Sequence, residues 1–199
     1  IEQHVVGNLI DFDRFQAPKS DDAMKVLGMV GWAQKVKDPL WALDVLARLR
    51  QDDESWRLRL IGSDFPTTRL SPSENRFARA YRERAMQLDV LDAIEYTGFT
   101  RHLEQHVAGV GFGLSTSLRE GFHVGAAEMA AAGAVPVVRN WPVYARYDAA
   151  RQVFGDEWVV DTVPQAVDRI LSLSSDVTTW RAASDEARTR IRTLMPRDD

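Results

Sequence analysis

The sequence contains no cysteine. Disulfides, thiolate metal sites and thiol nucleophiles are therefore excluded, and a reducing compartment is weakly favoured. Long apolar runs are missing too. The most apolar stretch, Phe122 to Val138, is interrupted by His123, Glu128 and Pro136. It is too short to span a bilayer, and no signal-peptide pattern is visible. Nor is positive charge in excess: 25 Lys and Arg stand against 29 Asp and Glu, a net charge of -4. That balance gives no reason to expect a nucleic-acid surface. A small anionic ligand stays compatible with it, because a local basic pocket does not need a basic protein.

What is present describes a globular domain. With 199 residues, 45% apolar and 27% charged, the chain can bury one good core or two small ones, and disorder is excluded. It starts at Ile1 and runs directly into Val5-Val6-Gly7-Asn8. This is expected of a piece of a longer protein whose partner residues lie on another segment.

Residues 1–22 read as a connecting segment, with a Gly7-Asn8 turn and a stop at Pro18 followed by Lys-Ser-Asp-Asp. Residues 23–199 read as one domain. Strands are expected at Lys25 to Val30, Leu58 to Ile61, Ala93 to Thr97, Val110 to Ser115, Val135 to Val138 and Trp158 to Val160. Asp38 as cap and Pro39 in the first turn start a helix whose apolar face is Leu40, Leu43, Val45, Leu46 and Leu49. Further helices are expected at Glu74 to Leu88, Arg101 to Ala108, Gly121 to Ala132, Pro164 to Leu173 and Thr178 to Leu194. Short apolar strands alternating with helices imply an α/β fold, a Rossmann-like doubly wound parallel sheet of about six strands covered on both faces. Ligands of such folds bind at the carboxyl ends of the strands. Functional residues are therefore expected just after Val30, Ile61, Thr97 and Ser115.

The richest of these loops runs Ser115-Thr-Ser-Leu-Arg-Glu-Gly-Phe-His-Val-Gly-Ala-Ala-Glu128. It leaves a strand and enters a helix with small residues in its first turn, where free N–H groups and the helix dipole attract phosphate. Gly121 and Gly125 allow a ligand or a strand close to the backbone. Glu120 sits at the loop–helix junction. Glu128 shares a helix face with Ala126, Ala127, Met129 and Ala130, where an unpaired charge is costly. A continuous helix at roughly 1.5 Å per residue would set the two backbones about 12 Å apart. That is wide for a glycosidase pair, which needs about 5–9.5 Å, and suits gripping one elongated, hydroxyl-bearing ligand. The plain alternative is a capping Glu120 and a Glu128 salt-bridged to a core-edge Arg.

A second loop, Gly31-Trp-Ala-Gln-Lys-Val-Lys37-Asp38, places Lys35 and Lys37 where they could meet a diphosphate. Gly109-x-Gly111-x-Gly113 is not the dinucleotide fingerprint and reads as packing. His102 and His106 are spaced for one helix face, but no third ligand is evident and no metal site is expected. His123 is placed to face a ligand, the alternative being a helix-start residue open to water. Trp32, Trp41, Trp56 and Trp180 read as core or domain-edge packing.

In this order the motifs resemble the C-terminal, donor-binding domain of a GT-B-fold retaining glycosyltransferase of the family 4 or "group 1" type. The resemblance covers roughly residues 5 to 190. It rests on Val6-Gly7-Asn8 to Phe15, Val30-Gly31-Trp32 to Lys37, Leu60-Ile61-Gly62 and Tyr96-Thr97-Gly98-Phe99. Its most specific part is Ser117-Leu-Arg-Glu120-Gly121-Phe122 through Glu128, followed by Met-Ala-Ala-Ala-Gly-Ala-Val-Pro-Val-Val.

By resemblance, Glu120 contacts donor-sugar hydroxyls and Lys37 meets the phosphates, these two being the catalytic candidates. Gly121 and Phe122 approach sugar or diphosphate, Glu128 holds the ribose hydroxyls, and Thr97-Gly98-Phe99 lies near the base. Gly31, Lys35, Ser117 and His123 complete the donor-binding set. The resemblance implies a metal-independent hexosyl transfer with no cofactor, a nucleotide-diphospho-sugar as substrate and an N-terminal acceptor domain outside this chain. The isolated chain is expected not to transfer sugar. A cytoplasmic location is implied, with any membrane association routed through the missing domain. Two departures stand out: the family's arginine after the first glycine is Trp32, and His123 replaces what is often glycine. Lys35 or Arg119 is the candidate replacement for the lost cation. A GT-B-fold nucleotide-sugar epimerase and a catalytically silent nucleotide-binding or scaffolding domain are the alternative functions.

Overall fold

A computed structural model describes residues 10–66, 68 and 71–195. The Gly7-Asn8 turn and the start of the Val6-Gly7-Asn8 motif lie outside these residues. The strands are β1 (Val26–Val30), β2 (Arg57–Ile61), β3 (Ile94–Gly98), β4 (Phe112–Ser115), β5 (Val135–Arg139) and β6 (Val159–Val160). They form one parallel sheet in the order β3-β2-β1-β4-β5-β6. The order in which successive strands are added reverses between β1 and β4. This is the topological switch point, outside which open α/β sheets place their ligands.

The helices are α1 (Pro39–Arg50), α2 (Pro72–Gln87), α3 (Leu103–Val107), α4 (Val124–Ala131), α5 (Ala149–Phe154), α6 (Val163–Leu173) and α7 (Val177–Leu194). Two cores flank the sheet. Leu27, Met29, Phe112 and Leu114 point to one face, where they meet Leu43, Leu46 and Leu49 of α1, Tyr81 of α2 and Ile170 of α6. On the other face Val107, the alanines and Met129 of α4, Phe154, and Ala187 and Ile191 of α7 pack together. Ile10, Phe12 and Phe15 join that second core, so the expected connecting segment docks against the domain. Lys19 fastens it further by donating to the carbonyls of Val107, Ala108 and Val110.

The expected alternation of strands and helices is realised, with three differences. The loop-to-helix junction lies later than expected: α4 begins at Val124 and leaves Gly121 and Phe122 in the loop. The 12 Å estimate assumed a continuous helix from Glu120 and loses its basis. Asp38 precedes α1 without a side-chain cap, because its backbone is left-handed (φ 45) and its carboxylate turns to Arg139 at 2.6 Å. Pro39 does occupy the first turn. Helix α5 was not expected, since six residues carry too little periodicity to reveal it. Of the glycine run, Gly111 admits no side chain because a Cβ would collide with the Ala23 carbonyl, and Gly113 lies against Met129. Packing explains them.

Candidate functional site

The loops leaving β1 and β4, on either side of the switch point, are stitched together. Leu118 N–H donates to the Val36 carbonyl at 2.8 Å, and Thr116 Oγ1 to the Lys37 carbonyl at 2.5 Å. This backbone frame brings Lys37 and Glu120, distant in sequence, into a 2.5 Å ion pair. Ser117 Oγ donates to the same carboxylate oxygen, Oε1, at 2.7 Å. Burial pushes the Glu120 carboxyl up, but the hydrogen bonds from Lys37 and Ser117 outweigh it and hold the group below its usual range. Glu120 is no helix cap; it lies ahead of α4 by a full loop segment.

Glu128 lives differently. It is half-buried on α4, and among the described residues its carboxylate makes no hydrogen bond or ion pair. The alternative, a salt bridge to a core-edge Arg, is not formed among the described residues. Arg14 lies within electrostatic reach but gives its hydrogen bond to Glu104 at 2.7 Å. Burial raises the Glu128 carboxyl, and Arg14 offsets this only in part. One helical turn back, on the same face, Gly125 presses so closely on Val30 that a Cβ would stand 2.9 Å from the valine's.

Val30 in turn lines a cleft of about 460 Å³ at the ends of β1, β2 and β3. Gly31, Gln34, Ile61, Gly62, Asp64, Phe99 and Leu103 also line it. Gly31 (φ 67), Gly62 (φ 122) and Gly98 (φ 72) end their strands in the conformation that L residues avoid, so each strand turns sharply and the cleft stays open. Phe99 is 74% exposed on the cleft wall. The Thr97 hydroxyl faces back to the Leu60 carbonyl at 3.3 Å. The cleft thus gathers Gly31 and Phe99, while Lys37, Ser117, Glu120 and Gly121 do not line it and lie on the loops that follow β1 and β4.

The sequence matches the glycosyl transferases group 1 family over residues 24–176. The chain belongs to this family. No curated protein sequence gives a significant match. Among solved structures, HepE from Anabaena, in complex with UDP and glucose, superposes with a TM-score of 0.77 at 15% identity, covering 96% of this chain and 52% of HepE. The C-terminal domain of LpcC, a glycosyl transferase group 1 family protein from Francisella tularensis, gives 0.73 at 14%, covering 96% of this chain and 100% of that domain. TarM from S. aureus gives 0.71 at 14%, covering 90% and 34%. At these identities the likeness is one of fold, the GT-B architecture. The chain spans about half the length of HepE.

Some features of this domain follow sequence reasoning and others escape it. Trp32, which stands where the family's arginine is usual, packs in the core as expected. It is 1% exposed and packs edge-on to Phe65 (5.1 Å) and beside Tyr81 and Tyr96 (5.2 and 5.5 Å). Trp41, Trp56 and Trp180 are buried as expected. The two candidate replacement cations, Lys35 and Arg119, are both exposed.

His123 is 2% exposed, which overturns the alternative of a residue open to water. Its Nδ1 lies 2.6 Å from Ser115 Oγ and its buried Nε2 has no partner among the described residues. Burial, reinforced by Lys37, lowers its pKa to about 4, so the ring is neutral. Fewer N–H groups than expected are free at the start of α4: Val124 donates to Phe122 O, and Ala126 to His123 O. Arg139, which grips Asp38 and lies over Trp41, gave no signal in sequence. Among the described residues no group of three His, Cys, Asp or Glu could hold a metal ion, and no helix is long and apolar enough to cross a membrane.

Proposed function

We propose that this domain binds the donor of a retaining glycosyltransferase of the family 4 type, which moves a hexosyl group from a nucleotide-diphospho-sugar to an acceptor. The observation that carries the reading is the pair of unlike carboxylates in the β4–α4 segment: Glu120 pinned by Lys37 and Ser117, and Glu128 half-buried without a hydrogen-bond partner among the described residues. Both are acceptor-only groups, suited to hydroxyl donors. In this reading Phe99, with Gly98 and Thr97, offers the surface for the base, and Gly31 gives the backbone room beside it. Glu128 takes the ribose hydroxyls and Glu120 those of the sugar. Gly121 and Phe122 approach the sugar or diphosphate, exposed Lys35 meets the phosphates, and buried His123 backs the loop. HepE was solved with UDP and glucose and, separately, with UDP-glucose. Uridine is therefore the first base to try.

The acceptor is expected on an N-terminal domain, so this chain alone binds donor without transferring sugar. No metal or cofactor enters the scheme. Calorimetric titration with UDP, GDP, ADP and UDP-glucose, with and without EDTA, is the test: saturable binding that EDTA leaves intact supports the reading, and no binding of any of the four ends it. Glucosyl transfer by this chain alone would refute the assigned division of labour. The buried Trp32 favours a second reading, a nucleotide-binding domain without turnover. Assay of the full-length protein for transferred, isomerised or unchanged nucleotide sugar separates transferase, epimerase and silent binder.

A further inference from the structure

We propose that Glu104 is a positioning residue of this site: by holding the Arg14 guanidinium on α3, it keeps that cation from closing on Glu128 and leaves the carboxylate open to a ligand. The inference rests on the donor-site reading above, in which Glu128 takes ligand hydroxyls. Three elements meet at this cluster. The 3-10 turn Phe12–Phe15 carries Arg14, α3 carries Glu104 and α4 carries Glu128. The turn packs against α4, with Phe12 and Phe15 buried in the same core as Ala127 and Ala130. Downstream, Lys19 grips the carbonyls that follow α3, and Arg188 donates to the Ala17 carbonyl at 3.1 Å. The backbone under Arg14 is thus fixed, and its side chain alone selects a partner.

That selection falls on Glu104. Arg14 Nη2 donates to Glu104 Oε2 at 2.7 Å and reaches the Arg101 carbonyl at 3.5 Å. Glu128 lies within electrostatic reach of the same guanidinium and receives no hydrogen bond from it. A guanidinium fits a carboxylate through two parallel N–H bonds, so an Arg14–Glu128 pair would occupy the oxygens that a ligand hydroxyl needs. Glu104 is the competing acceptor that prevents it. The existing pair is open to solvent, with side chains 46% and 23% exposed, and such pairs contribute little to folding. Steering the arginine is the use left to it. Held at this distance, Arg14 still lends Glu128 a positive field that offsets part of its burial.

The test releases Arg14 and then removes it. UDP is titrated into the wild type, Glu104→Gln, Arg14→Met, Glu128→Gln and the Arg14→Met/Glu104→Gln double variant. Glu104→Gln is expected to weaken UDP about tenfold, the scale of one charged hydrogen bond that the ligand must now displace. Long-range charge alone would act in the opposite direction, since losing an acid favours a diphosphate. Arg14→Met changes UDP affinity by less than about threefold, because Glu128 keeps its free oxygens. In the double variant UDP affinity returns to the Arg14→Met value, with no guanidinium left to close on Glu128. A merely structural role for Glu104 would leave the loss in place. Unchanged or tighter UDP binding in Glu104→Gln, or a loss that survives the removal of Arg14, overturns the proposal. A wild type that binds no UDP, or UDP binding indifferent to Glu128→Gln, instead overturns the donor-site reading on which it stands.

Discussion

Glu120 and Glu128 belong to one motif yet occupy opposite environments. The region around Glu120 is fully wired: an ammonium and a hydroxyl converge on one oxygen, and the carboxyl is held below its usual range. The region around Glu128 leaves the carboxylate half-buried with no hydrogen bond among the described residues, and the carboxyl is raised. One region is preorganised with its burial cost offset, because its charges answer each other. The other holds a charge whose burial costs stability until something binds it, the usual signature of a group kept for a ligand. The two should therefore respond with opposite signs when stability is measured.

The largest effect is expected at Glu120. Glu120→Ala leaves Lys37 and Ser117 facing each other without their acceptor. Stability should fall by about 1–3 kcal/mol, read as a lower melting temperature, and UDP-glucose affinity by roughly a hundredfold. The sign in pH follows from the depressed carboxyl. The stability it contributes is present above its ordinary value of 4.5 and is lost as pH falls through the folded value below that. An unchanged melting temperature in Glu120→Ala would mean that the ion pair contributes nothing.

Glu128→Gln should reverse the stability result. Replacing a raised, unpaired carboxylate by an amide leaves the melting temperature equal or higher, while UDP affinity falls roughly ten- to hundredfold. A raised carboxyl works against the fold as pH climbs: its contribution is complete below 4.5 and disappears as pH rises through the folded value. Denaturation of the two single variants over pH 4 to 7, compared with wild type, reads both slopes at once. A lower melting temperature for Glu128→Gln would show that the carboxylate has an internal partner after all.

How much of this was legible in the chain depends on the reach of the forces involved. Strands announced themselves because each is a short apolar run, and three end in a glycine with φ that only glycine adopts readily. The start of α4 did not, because His123 enters the N-cap position without any capping hydrogen bond. Helix α5 was hidden for the same reason, with Asp148 left-handed and uncapped before it. Within the site, Glu120 and Lys37 were individually suggestive, since parallel-sheet topology places both loops at one edge. Their mutual contact was not, because it depends on the β1–β4 register and two loop hydrogen bonds. Trp32 was legible as a packing residue, but its partners were not, because Phe65, Tyr81 and Tyr96, scattered along the chain, complete an aromatic cluster that no local pattern encodes.

His123 extends the contrast, since it sits behind the wired region. Its folded pKa near 4 lies below the ordinary 6.5, because burial disfavours the imidazolium and Lys37 adds repulsion. Between these values the unfolded chain binds more protons, so the stability owed to the neutral ring is complete above 6.5 and is lost as pH falls toward 4. His123→Gln keeps a hydrogen-bonding group near Ser115 and removes the titration. Its melting temperature should therefore vary less than wild type between pH 4 and 6.5. An identical pH profile for both proteins would place the ring in water.

The smallest effect separates two glycines of the same loop. Gly125 is filled by Val30, whereas an added Cβ at Gly121 meets nothing within 4 Å and the residue has no left-handed φ. Gly121→Ala should therefore leave stability within about 0.5 kcal/mol of wild type. Empty space in the unliganded protein is not empty once a ligand is bound. If sugar or diphosphate lies against this backbone, the extra methyl lowers UDP-glucose affinity several-fold with no change in melting temperature. Unaltered affinity would move the ligand away from Gly121 and toward the Phe99 side of the cleft, leaving Glu128 as the motif's contact and removing Glu120 from the sugar.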